Sequence, residues 1–189
     1  MPHSQRIVIR IKKGRDGRTA LSCTRADGTT TWQRQEGAQA AFFPKHDLTH
    51  YAVETVLGQR EGFYGLISAG WDFSDFGSPW PRGRLPLEAN ISEIIVGVLD
   101  VERRMSERGS VDELNQKLAE FSDEKGMPRG RELTEEDLAR VRAKRAELFE
   151  TWDAIPPGEA LEIPFELEPA EASGQASGAN KRRRNAKTR

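Results

Sequence analysis

His46-Asp47-Leu48-Thr49-His50 is the segment of this sequence whose residue types and spacing suit chemistry. Two imidazoles four residues apart on a helix lie one turn apart on nearly the same face, where both can bind one divalent ion. At about 100° per residue, with His46 set at the origin, His50 falls near 40°, Val53 near 340° and Leu57 near 20°. The pair therefore borders an apolar stripe, where desolvation favours the neutral, ligating imidazole. Glu54 falls near 80°, but its eight-residue separation from His46 is roughly 12 Å of rise on a straight helix. That is too far for a shared ion, so Glu54 suits a carboxylate that orients His50 from behind.

The same five residues have the outline of the zincin signature H-E-x-x-H, in which the acid beside the first histidine acts as general base on a metal-bound water. Asp47 takes that position with a side chain one methylene shorter. A catalytic metal site needs a third protein ligand and an open position. Asp72 and Asp75, in the aromatic run W-D-F-S-D-F, are the expected suppliers, with Glu61 and His3 behind them. The competing expectation is that both histidines are buried at a sheet–helix junction, satisfied by backbone carbonyls or by Asp47 and Glu54. The chain has 3 histidines, and two of them stand in register beside two acids.

The elements that must carry this segment can be read on either side of it. Arg6 to Lys12 alternates Ile7, Ile9 and Ile11 against Val8, Arg10 and Lys12, the period of a half-buried strand. Asp16-Gly17 and Asp27-Gly28 separate it from runs at Thr19 to Thr24 and Thr30 to Gln33, as tight hairpins require. A three-stranded meander is expected. Pro44 stands where a first-turn proline is tolerated, and Lys45 to Leu57 reads as a helix stopped by Gly58. Gly62 to Gly70 suggests a short, closely packed helix or turn, and Trp71 to Pro86 a loop whose aromatic residues lie on the body.

Beyond the loop, Ile91, Ile94, Ile95, Val98 and Val101 mark a core helix within Leu87 to Met105. Capping boxes at Ser110-Val111-Asp112-Glu113 and Thr134-Glu135-Glu136-Asp137 open helices expected to reach Phe121 and Trp152. Ala160 to Leu167 alternates as a strand, and Pro164 confines it to a sheet edge. The expected fold is α+β: a small antiparallel sheet, the meander plus a C-terminal edge strand, packed with four or five helices.

The run H-D-L-T-H-Y-A-V-E, preceded by F-P-K and followed after Thr55 and Val56 by L-G-Q-R-E-G-F-Y-G-L-I-S-A-G, resembles a group of bacterial proteins of unknown function. Their shared pattern is an H-D-L-x-H-x-x-x-E core with a following Gly-Phe segment. The resemblance spans about Phe43 to Gly70 and implies no described activity.

Composition narrows the function classes. At 189 residues the chain is long enough to bury a core without a structural metal, so a bound ion is expected to serve chemistry. Cys23 is the single cysteine, which excludes an internal disulfide and a thiolate-rich zinc site and reads as a small buried hydrophobe. No run has the length of a signal peptide or membrane span, and a cytoplasmic protein is expected. From Ala170 onward six Lys/Arg face one acid, a net +5, which leaves −6 for residues 1–169 of a chain whose total is −1. One domain over 1–169 and a disordered basic tail over 170–189 follow. The acidic body is a poor nucleic-acid platform, with weak contact confined to the tail. The expected function is hydrolysis of a small polar substrate with zinc or another divalent metal at His46 and His50. The alternative is a non-catalytic interaction module of antitoxin, immunity or adaptor type, with structural histidines and a protein partner on the 87–152 helices.

Overall fold

The computed structural model describes residues 5–167; His3 and the 170–189 tail lie outside the described residues. Four antiparallel strands, β1 Gln5–Lys13, β2 Thr19–Arg25, β3 Thr30–Gln35 and β4 Ala160–Leu167, lie in the order β3-β2-β1-β4. The α+β meander with a C-terminal edge strand is thus the observed sheet. Register places Ile9 opposite both Cys23 and Ile163, and Ile7 opposite Phe165. Alternation sends Ile7, Ile9, Ile11, Leu21, Cys23 and Phe165 into the core, while Val8 on the other face is 41% exposed. At the edge, Pro164 offers no N–H, and its carbonyl accepts the Tyr51 hydroxyl at 2.9 Å.

One face of the sheet is covered by α1 Gly37–Leu57, α2 Phe63–Ser68 and α5 Glu135–Ala154; α3 Leu87–Met105 and α4 Val111–Lys125 pack outside them. The capping boxes form as their residue types demand: Ser110 Oγ accepts from the Glu113 amide at 3.2 Å and Thr134 Oγ1 from the Asp137 amide at 3.1 Å. Among the described residues, no helix is long and apolar enough to cross a membrane.

Two apolar clusters form. One contains Ile7, Ile9, Leu48, Ala52, Tyr64, Ile67 and Phe165; the other contains Val53, Ile95, Val96, Leu99, Leu114, Leu138 and Val141. Helix α1 contributes to both, so it runs along their seam. It also begins earlier than Lys45: Pro44 lies inside it, about two turns from its start. The run Ala38-Gln39-Ala40-Ala41 is strongly helix-forming, and the added turns set the Phe42 and Phe43 rings 5.3 and 5.6 Å from that of His46. Those gains offset the backbone bond that Pro44 cannot donate to Ala40.

In α3 the core face is wider than the expected stripe: Ile91, Ile95 and Val98 join the core, Val96 and Leu99 are fully buried as well, and Val101 is 47% exposed. The helix must meet α1 on one side and α4 on the other. Between α2 and α3, a single 3-10 turn at Phe73–Phe76 interrupts the aromatic loop. A contrast of faces tests the sheet. Phe165→Ala is expected to destabilise the fold by about 3–5 kcal/mol and Val8→Ala by under about 1 kcal/mol, read from urea unfolding; equal losses would contradict the assignment of faces.

Candidate metal centre

Helix α1 brings His46 and His50 to its contact with α3, with ring centroids 4.9 Å apart. Each imidazole has a carboxylate at its Nδ1. His46 Nδ1 is 2.7 Å from Asp100 Oδ2 of α3, and Asp100 Oδ1 in turn accepts from Arg103 at 3.2 Å. His50 Nδ1 stands 3.4 Å from Glu54 Oε1, without hydrogen-bond geometry, and neither atom has another partner among the described residues. The second nitrogen of His50, Nε2, lies 3.5 Å from Glu93 Oε1 of α3. His46, His50 and Glu93 form a group that could hold a metal ion, with one ligand atom from each, all within 4.8 Å of one another. Donors about 2.1 Å from one tetrahedral ion lie roughly 3.4 Å apart, so the group needs only modest closure. The Glu93 side chain, 49% exposed, has the freedom to supply it.

Glu54 has a second task, which explains its complete burial. Its Oε2 accepts the amides of Tyr64 at 2.9 Å and Gly65 at 3.3 Å, where α2 begins. A Cβ at Gly62 would lie 2.5 Å from Glu54 Cδ, and one at Gly65 only 2.1 Å from the Arg60 carbonyl oxygen. These glycines are therefore needed for close approach, and Glu54 is the packing partner of the Gly62 to Gly70 segment. Phe63, at the start of α2, sets its ring 5.2 Å from that of His50 and is itself backed by Phe73 and Phe76 at 5.8 and 4.8 Å. The aromatic loop thus covers His50 through Phe63.

Burial and charge set the protonation of the group. Burial alone would lower the His46 pKa, but its hydrogen bond to Asp100 and the charges of Asp47, Asp100 and Glu93 hold it above the ordinary value. Burial pushes His50 down to about 4, the neutral form a metal requires. Burial raises Glu54 to about 8 against the pull of its amide donors, and Asp47 to about 7 against the charge of His46. Asp47 is 4% exposed, and its backbone carbonyl accepts the Tyr64 hydroxyl at 3.2 Å.

Asp72 and Asp75 are not in the group that could hold an ion. Asp72 pairs with Arg25 at 2.9 Å; Asp75 accepts from the Asp72 amide at 2.9 Å and from Arg82 at 2.7 Å. Both carboxylates thereby hold the aromatic loop in place. Glu61 is exposed, and its amide donates to Glu88 at 2.7 Å. The acids that do approach the histidines, Glu93 and Asp100, lie seven residues apart on α3. Their signal was present: two turns of separation keeps two acids on one face. No protein-family model matches the chain, and no curated protein or solved structure matches it.

Glu54→Gln keeps an acceptor for the Tyr64 and Gly65 amides, whereas Glu54→Ala leaves both unpartnered. The alanine variant is expected to be less stable than the glutamine variant by about 2–4 kcal/mol, and urea unfolding that ranked them equal would contradict this role.

In chelator-treated protein the raised carboxyls of Glu54 and Asp47 keep protons that the unfolded chain releases near its ordinary values of 4.5 and 3.8. Their contribution is lost as pH rises through the folded-state values. His50 acts in the opposite sense only between about 4 and its ordinary 6.5. Stability is therefore expected to fall from pH 6.5 to 8, by up to about 1.4 kcal/mol per unit for each titrating group, with Glu54→Gln removing its share. A flat profile in urea midpoints across that range is the opposing result.

Proposed function

We propose that His46, His50 and Glu93 bind zinc or a similar divalent ion and that the site hydrolyses a small polar substrate. The observation that carries this reading is the carboxylate at each Nδ1: Asp100 behind His46 at 2.7 Å and Glu54 facing His50 at 3.4 Å. Such carboxylates fix the tautomer and aim the other ring nitrogen at an ion. The orphaned pair His50 Nδ1 and Glu54 Oε1 supports it too, because a slight turn of the imidazole toward Glu54 would let Nδ1–H donate. Two imidazoles and one carboxylate are a donor set of catalytic zinc sites, which leave a position for water. An ion there supplies Lewis acidity and a water acidic enough to attack near neutral pH.

The chain's own residues divide the remaining work. Glu93 completes the donors, Asp100 and Glu54 orient the rings, and Phe63 keeps solvent from His50. Asp47, next to His46, takes the position of the acid in the zincin outline and serves as proton acceptor or orienting group. Gly97 lies between Glu93 and Asp100 on α3, and a Cβ built there meets nothing within 4 Å. Packing does not require this glycine and helix propensity opposes it; in this reading it leaves room beside the donors.

Purified protein is expected to carry about one equivalent of divalent metal per chain, and His46→Ala with His50→Ala to carry almost none. Asp100→Asn is expected to retain the site with roughly 10- to 100-fold weaker affinity. Equal and negligible metal in the wild type and the double variant, by elemental analysis and by zinc titration, would refute the metal reading.

The interaction-module reading draws on the groove of about 500 Å³ between α3 and α4, flanked by Val101 and by Met105, which is 69% exposed. It expects a stable protein partner, no bound metal and indifference to Asp47→Asn. Loss of hydrolysis of an ester and phosphoester panel in Asp47→Asn, with folding and partner binding intact, would exclude it.

A further inference from the structure

A second cleft lies where the loop after the 3-10 turn meets α3 and α4. It has a volume of about 420 Å³ and is lined by Trp80, Arg84, Leu85, Asn90, Phe121, Lys125 and Met127. This is the size of a small-molecule site. Its walls are aromatic and aliphatic, and its two charged groups are both cations. Neither Arg84 nor Lys125 forms an ion pair or side-chain hydrogen bond among the described residues. In a body that carries −6 over residues 1–169, two unpaired cations on the lining of an apolar cleft mark it as complementary to an anion.

The wall that Trp80 provides is built, not incidental. Trp80 has a φ of 58°, a left-handed conformation that bulky residues rarely adopt. Its amide donates to the Gly77 carbonyl at 2.8 Å and its carbonyl accepts from Gly83 at 2.9 Å. Arg82 ties the same loop down through Gly70 at 2.7 Å and Asp75 at 2.7 Å. The indole held this way is 44% exposed and stacks on no other ring or cation among the described residues. Also on the lining, Asn90 spends its amide hydrogens on the Leu85 and Pro86 carbonyls at 3.1 and 2.8 Å, which leaves its side-chain oxygen as an acceptor.

We propose that this cleft binds a small planar ring bearing a carboxylate or phosphate, stacked against Trp80 with its anionic group between Arg84 and Lys125. Stacking on the exposed indole favours a flat ring. The cations favour an anion, and Asn90 favours a ring that carries an N–H. The site is independent of the metal reading.

Two pairs of probes test it: naphthalene-2-carboxylate against naphthalene-2-carboxamide, and adenosine 5′-monophosphate against adenosine. The readout is the indole N–H resonance of Trp80 in two-dimensional NMR of the full chain, assigned with Trp80→Phe. At least one anion is expected to shift it saturably and at least about tenfold more tightly than its neutral counterpart; which anion does so identifies the group recognised. Arg84→Gln with Lys125→Gln, both on the surface, is expected to weaken that binding by about tenfold or more with the unfolding midpoint unchanged. No saturable shift with either anion would overturn the proposal. Equal affinity for charged and neutral probes, or undiminished binding in the double variant, would overturn it as well.

Discussion

A helix enclosed by two cores has to satisfy its polar side chains without bulk water, and α1 is under that constraint along most of its second half. From Asp47 to Glu54 every residue except Tyr51 is buried. Leu48 and Ala52 belong to the cluster on the sheet and Val53 to the cluster on α3 and α4. Yet the same stretch holds two carboxyls, a hydroxyl and an imidazole. Burial of such groups costs several kcal/mol each unless they are hydrogen-bonded or neutralised. Thr49 meets the demand locally, donating to the Lys45 carbonyl at 2.7 Å. Glu54 meets half of it through α2. The other half of Glu54, with His50 Nδ1, is where the polar bonding among the described residues is incomplete.

The polar face of α1 also shapes α3. A helix packed only for its apolar seam would not need Asp100 at 3% exposure. Asp100 is held ionised against burial by His46 and Arg103, so the His46 end of the seam is electrostatically closed. The His50 end is closed differently: burial keeps Glu54 protonated and His50 neutral near pH 7, with Glu54 Oε1 3.4 Å and Glu93 Oε1 3.5 Å from the ring nitrogens. Elsewhere α5 is tied to α3 by buried charge, with Arg142 on Glu102 and Arg145 donating to the Leu99 carbonyl at 2.7 Å. The interior thus holds charge where a partner is present and neutral groups where none is.

Much of the fold was legible because short-range rules govern it. The β1 alternation, the two Asp-Gly hairpins and both Ser/Thr capping boxes depend on neighbours a few residues away, and each formed as its residues imply. The start of α1 was not legible, because Pro44 is a local break signal and the contacts that outweigh it, the Phe42 and Phe43 rings on His46, come from the folded seam. The candidate site divides along the same line. The His46 and His50 pair is a feature of one helix and could be read from spacing. Glu93 and Asp100 sit on another helix, and which α1 residues they meet is decided by packing that a single-helix pattern does not contain; the apolar stripe found the core through Ile91, Ile95 and Val98 but ran on to the exposed Val101. Asp72 and Asp75 were plausible by residue type alone; Arg25 from β2 and Arg82 from the same loop decide their use.

The edge strand carries one more consequence. A sheet with free margins invites another chain to add a strand, and exposed margins are a common route to aggregation. On the β4 margin, Pro164 has no N–H to give, and the Tyr51 hydroxyl already occupies its carbonyl. An incoming strand meets at that position neither a donor nor an uncommitted acceptor. The hydroxyl comes from α1, the helix that carries the histidines, so the segment that builds the candidate site also blocks strand addition at this point of the β4 margin.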